Sequence, residues 1–558
     1  MTRRTPTLAA AGLLSLFALS AALPAASPAQ PHAMTAVPEG ENPPPLYHDL
    51  GSWTMPITAS SPSVQAYFDQ GLRLCYGFNH AEATRAFREA ARRDPTCAMA
   101  WWGVAYAAGP NINMPMDDAA RAVANEAIAR AVALKAHVSP RERDFIDALA
   151  TRYSTDPTAA RAGLDSAYAR AMKRLAQKYP DDADAAALHA EALLDLNPWN
   201  QWTHEGRPNP GTPALVAALE RALARWPDHP GLNHFYIHTM EASTTPEKAL
   251  AAARRLHDLV PGAGHLVHMP AHVYIRTGDW EQTVRTNEAA VRVDEAYIEQ
   301  QRPEGIYPLM YYPHNVHFIW FGACMRGQSA LAIEQGRKVA GLVGPDVVAA
   351  APMVEFLPPV AFLTYVRFGR WADMLAVPRP GPGLPYTTAM WHYARGMALA
   401  ATGDAAGAAA ALDSLRAAAR GFSVDHAIGT NTAPRLLRVA SLVLSGESAR
   451  RAKRWDVALR DLAAAAVAED SLRFDEPPTW YYPSRHSLGA AQLEAGRAAD
   501  AERTFRRELR RFPENGWSLY GLAAALRAQG KAREAEAVEA RFRKAWERAD
   551  VAIGASAF

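Results

Sequence analysis

The stretch YFDQGLRLCYGFNHAEATRAFREAARRDP, at residues 67–95, decides the fold class of this chain. Five residues in it, Gly71, Ala83, Phe87, Ala90 and Pro95, follow one another at intervals of 12, 4, 3 and 5. Steps of three and four residues place side chains on one face of a helix, and a proline ends a helix that precedes it. The stretch therefore predicts two helices that touch through small residues.

The same spacing returns near the C-terminus, in RHSLGAAQLEAGRAADAERTFRRELRRFP at residues 485–513. Both units resemble the tetratricopeptide repeat (TPR), an antiparallel helix pair of about 34 residues. The resemblance implies an all-α fold, a TPR-type α-solenoid built as a superhelical array of helix-turn-helix repeats over residues 61–548. One helix pair cannot bury its apolar face alone, so stacked repeats share a continuous core and form one concave groove.

The two ends of the chain differ in composition from the predicted solenoid. Residues 1–29 begin with a basic segment and continue with an apolar stretch from Leu8 to Leu23, the order typical of a secretory signal peptide. That stretch is short for a membrane span of about 20 residues. We therefore predict a periplasmic or secreted protein without stable membrane insertion after cleavage. Residues 30–60 read as a Pro-rich linker and 549–558 as a tail.

Composition and motifs narrow the classes of partner and cofactor. The chain has 558 residues and a formal net charge of only +2, so nucleic acid is not an expected partner. There is no CxxCH stretch for haem c and no Walker loop for a nucleotide. HExxH and GxSxG are absent as well, which leaves open whether the protein is an enzyme. Cys75 and Cys97 can pair or can be small buried residues.

Residues 230–320 form a histidine-rich middle of the predicted solenoid. Three segments carry seven of the eighteen histidines: LNHFYIHTMEAS (232–243), GAGHLVHMPAH (262–272) and YYPHNVHFIW (311–320). Steps of three and four residues put the histidines of each segment on one helix face. The three segments in this order also resemble a widespread group of exported bacterial TPR proteins, which implies the fold and the site but no particular reaction.

The TPR resemblance further implies which side chains face the groove, because the second, fifth, ninth and twelfth places of a repeat line it. The residues on those places are His234, His238, Glu241, His265, His268, His272, His314 and His317. Pro270 complicates the middle segment, since it removes the amide hydrogen that would bond to residue 266. Either the helix kinks there, or it begins late and leaves His265 in the entering loop.

Converging imidazoles predict a transition-metal site, with Zn, Cu or Fe favoured over Mg or Ca. One arrangement is mononuclear, with an open position that would suit a hydrolase. The other is dinuclear, with about three histidines per metal, which would suit a copper or iron oxidoreductase. A polar pocket for an anionic ligand, a peptide or a partner protein is the main competing interpretation, and a metal-free scaffold is the third.

Further side chains are candidates for the same groove. His189 lies on an earlier groove helix, and the insertion after it carries Trp199 and Trp202. Insertions in solenoids tend to fall on one face, which is often the binding face. Tyr311 and Tyr312 directly precede His314. For all of these residues, ordinary packing is the alternative to ligand binding.

Overall fold

The computed structural model describes residues 43–558, so the predicted signal peptide and the first part of the predicted linker lie outside the described residues. The described chain is an array of helices joined by short turns. In chain order the helices are α1 (Pro62–Tyr76), α2 (His80–Arg93), α3 (Ala98–Ala107), α4 (Asp118–Leu134), α5 (Pro140–Ala150), α6 (Arg161–Lys178), α7 (Ala183–Leu194), α8 (Thr212–Arg225), α9 (Pro230–Met240), α10 (Leu250–Leu259), α11 (Gly264–His268), α12 (Pro270–Thr277), α13 (Trp280–Gln301), α14 (Tyr312–Met325), α15 (Ser329–Gly341), α16 (Pro345–Ala350), α17 (Val360–Arg367), α18 (Trp371–Ala376), α19 (Pro385–Ala401), α20 (Ala405–Ala419), α21 (Ala433–Arg451), α22 (Trp455–Asp470), α23 (Ser484–Glu494), α24 (Ala498–Arg511), α25 (Gly516–Ala528) and α26 (Ala532–Ala545).

Short elements interrupt this array. Single 3₁₀ turns lie at Lys135–His137, Pro246–Ala249 and Pro352–Phe356, and a π-helical turn at Tyr307–Tyr311 leads into α14. The strands β1 (Ala427–Ile428) and β2 (Asn431–Thr432) form a small antiparallel hairpin before α21. Within residues 43–558, no helix combines the length and the apolar character that crossing a bilayer requires.

Helix boundaries follow local chemistry. The Asn79 side chain accepts a hydrogen bond from the Glu82 amide and so caps α2. Ser139 and Glu142 cap each other's backbone at the start of α5. Gly278 adopts a left-handed conformation, φ 84°, that ends α12, and a glycine tolerates this without strain.

Successive helices pack as antiparallel pairs, and the repeat motif explains how. The Phe87 ring of α2 fills the space above Gly71 of α1 and Gly103 of α3, where an added Cβ would lie 2.7 and 2.3 Å from it. The C-terminal pairs use the same arrangement, with Phe505 against Gly489 and Gly521 at 2.2 Å each. The prediction of a TPR-type α-solenoid is confirmed.

The array curls so far that distant repeats touch its middle. The first helix packs on α9, where the Tyr76 ring lies beside Gly231. From the C-terminal side, Trp280 donates a hydrogen bond to the Pro513 carbonyl over 2.9 Å, and Trp517 donates to the Cys324 carbonyl over 2.8 Å. The middle helices are therefore enclosed from both ends of the chain.

The two predicted terminal segments are packed where the structure describes them. Residues 43–60 contain no helix, yet Leu50 and Met55 are buried and Tyr47 donates a hydrogen bond to Glu82. At the other end, the Phe558 ring lies 5.6 Å from that of Trp517. The three cysteines are buried free thiols, so Cys75 and Cys97 are unpaired.

Candidate metal centre

Three stretches of helix deliver the histidines of the middle segment. His234 and His238 lie on α9, which Glu241 directly follows. His265 and His268 lie on α11, and His272 lies on α12. His314 lies in the first turn of α14, and His317 lies one turn later. Each stretch contributes at least one imidazole to the same interior region.

Pro270 starts a new helical segment without displacing His265 into a loop. Met269 keeps helical dihedral angles, φ −50° and ψ −35°, and its amide donates to the His265 carbonyl over 3.1 Å. The His272 amide donates to the Met269 carbonyl over 3.2 Å, which tightens the turn around the proline. The helix therefore continues through Met269, and both His265 and His268 stay on the interior face.

Six of the seven histidines divide into two sets of three. The first triad is His234, His238 and His265, and the second triad is His268, His272 and His314. In each triad the three ligand nitrogens lie within 4.8 Å of one another. The triads adjoin, since the ring centres of His238 and His272 are 5.7 Å apart, as are those of His265 and His268.

In the first triad, the ring nitrogens that face one another have no hydrogen-bond partner among the described residues. His234 Nδ1 lies 2.6 Å from the Tyr76 carbonyl, and His238 Nδ1 lies 2.9 Å from a Glu241 carboxylate oxygen. Because both partners only accept, the protons belong on Nδ1 and each Nε2 presents a lone pair. Both Nε2 atoms, and both nitrogens of His265, lack a hydrogen-bond partner in the described part of the chain.

The second triad brings three Nε2 atoms together. His268 Nε2 lies 2.8 Å from His272 Nε2, which in turn lies 3.5 Å from His314 Nε2. His268 Nδ1 lies 2.7 Å from Asn287 Oδ1, and the Asn287 amide group is held by the Thr283 carbonyl. That arrangement makes His268 Nδ1 the donor, so its Nε2 also presents a lone pair.

Two buried carboxylates accompany the imidazoles. One Glu241 oxygen accepts from His238 and the other contacts His272 Nδ1, which also lies 3.2 Å from Glu476 Oε2. Arg276 approaches Glu476 at 3.8 Å. Burial works against a charge on His272, but Glu241 and Glu476 raise its pKa. Burial raises the pKa of Glu476. At Glu241 the attraction of His272 and His238 outweighs the effect of burial, so the pKa of Glu241 is lowered.

Aromatic side chains enclose both triads. The Phe78 ring centre lies 4.4 Å from that of His234, and Phe318 lies 4.8 Å from His268 and 4.9 Å from His314. In such surroundings, burial, reinforced by neighbouring imidazoles, lowers the pKa of His234 and of His265, His268 and His314 well below the usual range. These rings are neutral at pH 7, which is the state that binds a metal.

The cluster is inside the molecule rather than on an open groove. His234 and His268 are fully buried, His238 is 5 % exposed, and His314 is half-buried. The sequence predicted a concave surface facing solvent, whereas the curl of the array brings the first helix pair and the segment around Glu476 over the histidine helices.

Several predicted residues lie outside the triads. His317 stacks on Trp320 at 5.1 Å and against Phe356 at 5.7 Å, and burial lowers its pKa to about 3. His189 is half-buried, and burial lowers its pKa to about 4, aided by the nearby charges of Lys173 and Arg221.

The predicted aromatic residues divide between the site and ordinary packing. Tyr311 lies against His265 at 4.7 Å and accepts a hydrogen bond from Asn113. Trp199 is 40 % exposed, and its ring lies nearly perpendicular to that of His238, with the ring centres 5.5 Å apart. Trp202 donates to the Thr239 carbonyl over 2.6 Å. Tyr312 turns away and donates to Glu295 over 2.9 Å.

Sequence reasoning missed four residues that complete the site: Phe78, Asn287, Phe318 and Glu476. Phe318 follows His314 by four residues, so the helical period could have identified it. Asn287 lies on α13, the partner helix of α11 and α12, and nothing in its own segment marks it. Glu476 is 204 residues from His272, and only the curl of the array brings them together.

Comparisons with known proteins do not assign the chain to a family. No protein-family model matches the chain, and no curated protein does. Among similar solved structures, a human IFIT1 dimer with m7Gppp-AAAA has 12% identity and a TM-score of 0.31, covering 87% of this chain and 91% of that one. Yeast Tom70 has 11% identity and a TM-score of 0.29, covering 86% of this chain and 96% of that one. The APC/C hetero-tetramer Cut9-Hcn1 has 12% identity and a TM-score of 0.28, covering 88% of this chain and 90% of that one. These scores are too low to bear on the site, which rests on the chain's own residues.

Proposed function

We propose that this protein is an exported TPR-type solenoid that binds a transition metal among the imidazoles of its middle helices. The observation that carries the proposal is the set of buried nitrogens in the first triad without hydrogen-bond partners. An unpaired buried polar atom costs about 1–3 kcal/mol. Two Nε2 atoms and both His265 nitrogens without a partner are costly to a purely structural network, and a bound ion would satisfy the two Nε2 atoms and one His265 nitrogen.

The hydrogen bonds behind the rings support the same proposal. Ligating histidines generally donate their other N–H to a carbonyl or carboxylate, which fixes the tautomer and the ring direction. Tyr76 does this for His234, Glu241 for His238 and Asn287 for His268. Neutral imidazoles favour Zn, Cu or Fe over Mg or Ca, which prefer oxygen ligands.

A metalloenzyme is the second candidate, and the number of ligands favours it. Three protein ligands per ion is the set that catalytic zinc uses, with a fourth position left for water or substrate. Trp199 is the most exposed aromatic side chain against the cluster and marks the side from which a small molecule would approach. A peptide or protein partner on the outer surface, export, and the exclusion of nucleic acid stay predictions of the sequence.

Elemental analysis tests the proposal directly. The full chain is produced without an affinity tag, and its Zn, Cu and Fe contents are measured after dialysis. We expect at least one equivalent of one metal per chain, and its loss in a His238→Phe, His268→Phe double variant. His317→Phe is the matched control, because His317 is a buried histidine on α14 outside both triads. Less than about 0.2 equivalents after reloading with Zn²⁺ or Cu²⁺ would show that the cluster is structural.

A further inference from the structure

We infer that the cluster binds two metal ions, one in each triad, with Glu241 as a shared outer carboxylate. This inference rests on the proposed function and extends it to the number and the placement of the ions. The cluster divides into two sets of ligand nitrogens that share no histidine, and each set has three members. Three imidazoles are the protein ligands of a zinc or copper ion that keeps an open position.

The first triad already has the hydrogen-bonding pattern of a loaded site. His234 and His238 each commit Nδ1 to an acceptor and turn Nε2 toward the triad. His265, on another helix, contributes a ring whose two nitrogens have no other partner within residues 43–558. Three buried nitrogens from two helices thus converge without a hydrogen-bond partner in that part of the chain.

The second triad gathers three nitrogens that one proton cannot satisfy. His268 Nε2 and His272 Nε2 are 2.8 Å apart, and a proton between them forms a hydrogen bond that serves both. His314 Nε2 lies 3.5 Å from His272 Nε2 and has no share in that proton. A metal ion among the three can bind all of them.

Each ion would belong to one triad. The ligand nitrogens of a triad lie within 4.8 Å of one another, and the two sets share no histidine. A single tetrahedral ion takes about four ligands, so one ion cannot use all six imidazoles. A further set formed by Glu241, His272 and Glu476 uses His272 Nδ1, the nitrogen that faces away from His268, so it serves as outer support for the second triad.

Glu241 links the triads through its two oxygens. One contacts His238 of the first triad and the other contacts His272 of the second. Its side chain is fully buried, and Glu476 adds a second buried carboxylate on the same side. Two carboxylates offset part of the charge that two divalent ions would bring into an interior lined by Phe78 and Phe318. Buried cations need that compensation.

Zn²⁺ titration of the metal-free full chain tests the inference. Bound zinc is counted by equilibrium dialysis and elemental analysis, and we expect two equivalents. His265→Phe, in the first triad, and His314→Phe, in the second, should each retain one tight equivalent. The combined variant should retain none, and the control His317→Phe should retain two. Phenylalanine preserves the aromatic packing, and circular dichroism verifies that each variant is folded.

The outcomes separate the inference from the proposed function. One equivalent in the unmodified chain overturns the two-ion inference and leaves the proposed function intact. No equivalent overturns both. Two equivalents that persist in the combined variant place the metal elsewhere and overturn the inference too. With Cu²⁺ as the probe, the electron paramagnetic resonance signal of the unmodified chain should broaden or vanish at the second equivalent through coupling of neighbouring ions. Both single variants should keep an isolated Cu²⁺ signal.

Discussion

The end repeats and the middle repeats fill the same kind of space with different side chains. At both ends, a phenylalanine ring, Phe87 or Phe505, lies between two glycines of neighbouring helices. In the middle, imidazoles occupy the interior face of α9, α11, α12 and α14. A phenylalanine needs only close packing, whereas every imidazole needs partners for two nitrogens.

That difference separates stability from function along one scaffold. The end repeats gain their free energy from apolar burial, which requires no other component. The first triad leaves buried nitrogens unpaired and therefore costs the metal-free protein stability. Unpaired buried groups of this type concentrate at functional sites, where a bound ligand pairs them.

Removing an end-repeat aromatic should have the largest effect. Phe505 of α24 is fully buried against α23 and α25, so Phe505→Ala deletes its contacts and leaves a cavity. We expect the free energy of unfolding to fall by about 3–5 kcal/mol, as measured by urea denaturation. Metal content of the folded fraction should not change, since Phe505 contacts neither triad. Loss of metal from folded Phe505→Ala would show that the ends and the middle are coupled.

Metal should stabilise the middle alone. A ligand that binds only the native state, at about 100 times its dissociation constant, adds about 2.7 kcal/mol to the free energy of unfolding. We expect Zn²⁺ to raise the melting temperature of the unmodified chain and of His317→Phe to the same extent. It should leave the His265→Phe, His314→Phe double variant unaffected. An equal rise in that double variant would place the stabilising ion outside the triads.

His317 allows a pH test of a buried imidazole outside the triads. Burial lowers its pKa to about 3, against about 6.5 in an unfolded chain, so below pH 6.5 protons bind preferentially to the unfolded state. The native protein therefore loses stability as pH falls through this window. Relative to the unmodified chain, His317→Phe should gain about 2 kcal/mol between pH 8 and pH 5. Urea denaturation at both pH values measures the gap, and a constant gap would contradict the prediction.

Asn287 should affect metal affinity without binding metal. Its side-chain oxygen accepts from His268 Nδ1 and orients that ring. Removing such a partner typically costs about 10–100-fold in affinity, and we expect about tenfold for Asn287→Ala, seen at one of the two zinc equivalents only. Thr286→Ala, one position earlier on α13, is the matched control, since its hydroxyl bonds the Gln282 carbonyl of its own helix.

Replacing one imidazole by a phenylalanine should have the smallest effect on stability, with the opposite sign to Phe505→Ala. His265 buries two unpaired nitrogens between Phe78 and Tyr311, so His265→Phe removes their cost and keeps the ring. We expect the metal-free variant to be more stable by about 1 kcal/mol. A clear loss of stability would show that His265 has hydrogen bonds of structural value.

Much of the site could be predicted because it depends on local period. Steps of three and four residues put His234 with His238, and His265 with His268 and His272, on single faces. The same rule included His317, which the structure stacks on Trp320. A period identifies a face that is buried or functional, but the direction of one ring also depends on its neighbours. Glu476 and Asn287 lie on other segments, so no local pattern contains them.

The sequence by itself determined the helices, the repeat and the shared faces of the histidines, since each depends on contacts a few residues apart. Only the tertiary structure decided that the array curls until α1 packs on α9 and Glu476 meets His272. Small rotations between successive repeats add up over the whole array, and no single repeat encodes their sum. That sum buries the imidazoles and divides them into two triads, which turns three histidine-bearing helix faces into a candidate metal centre.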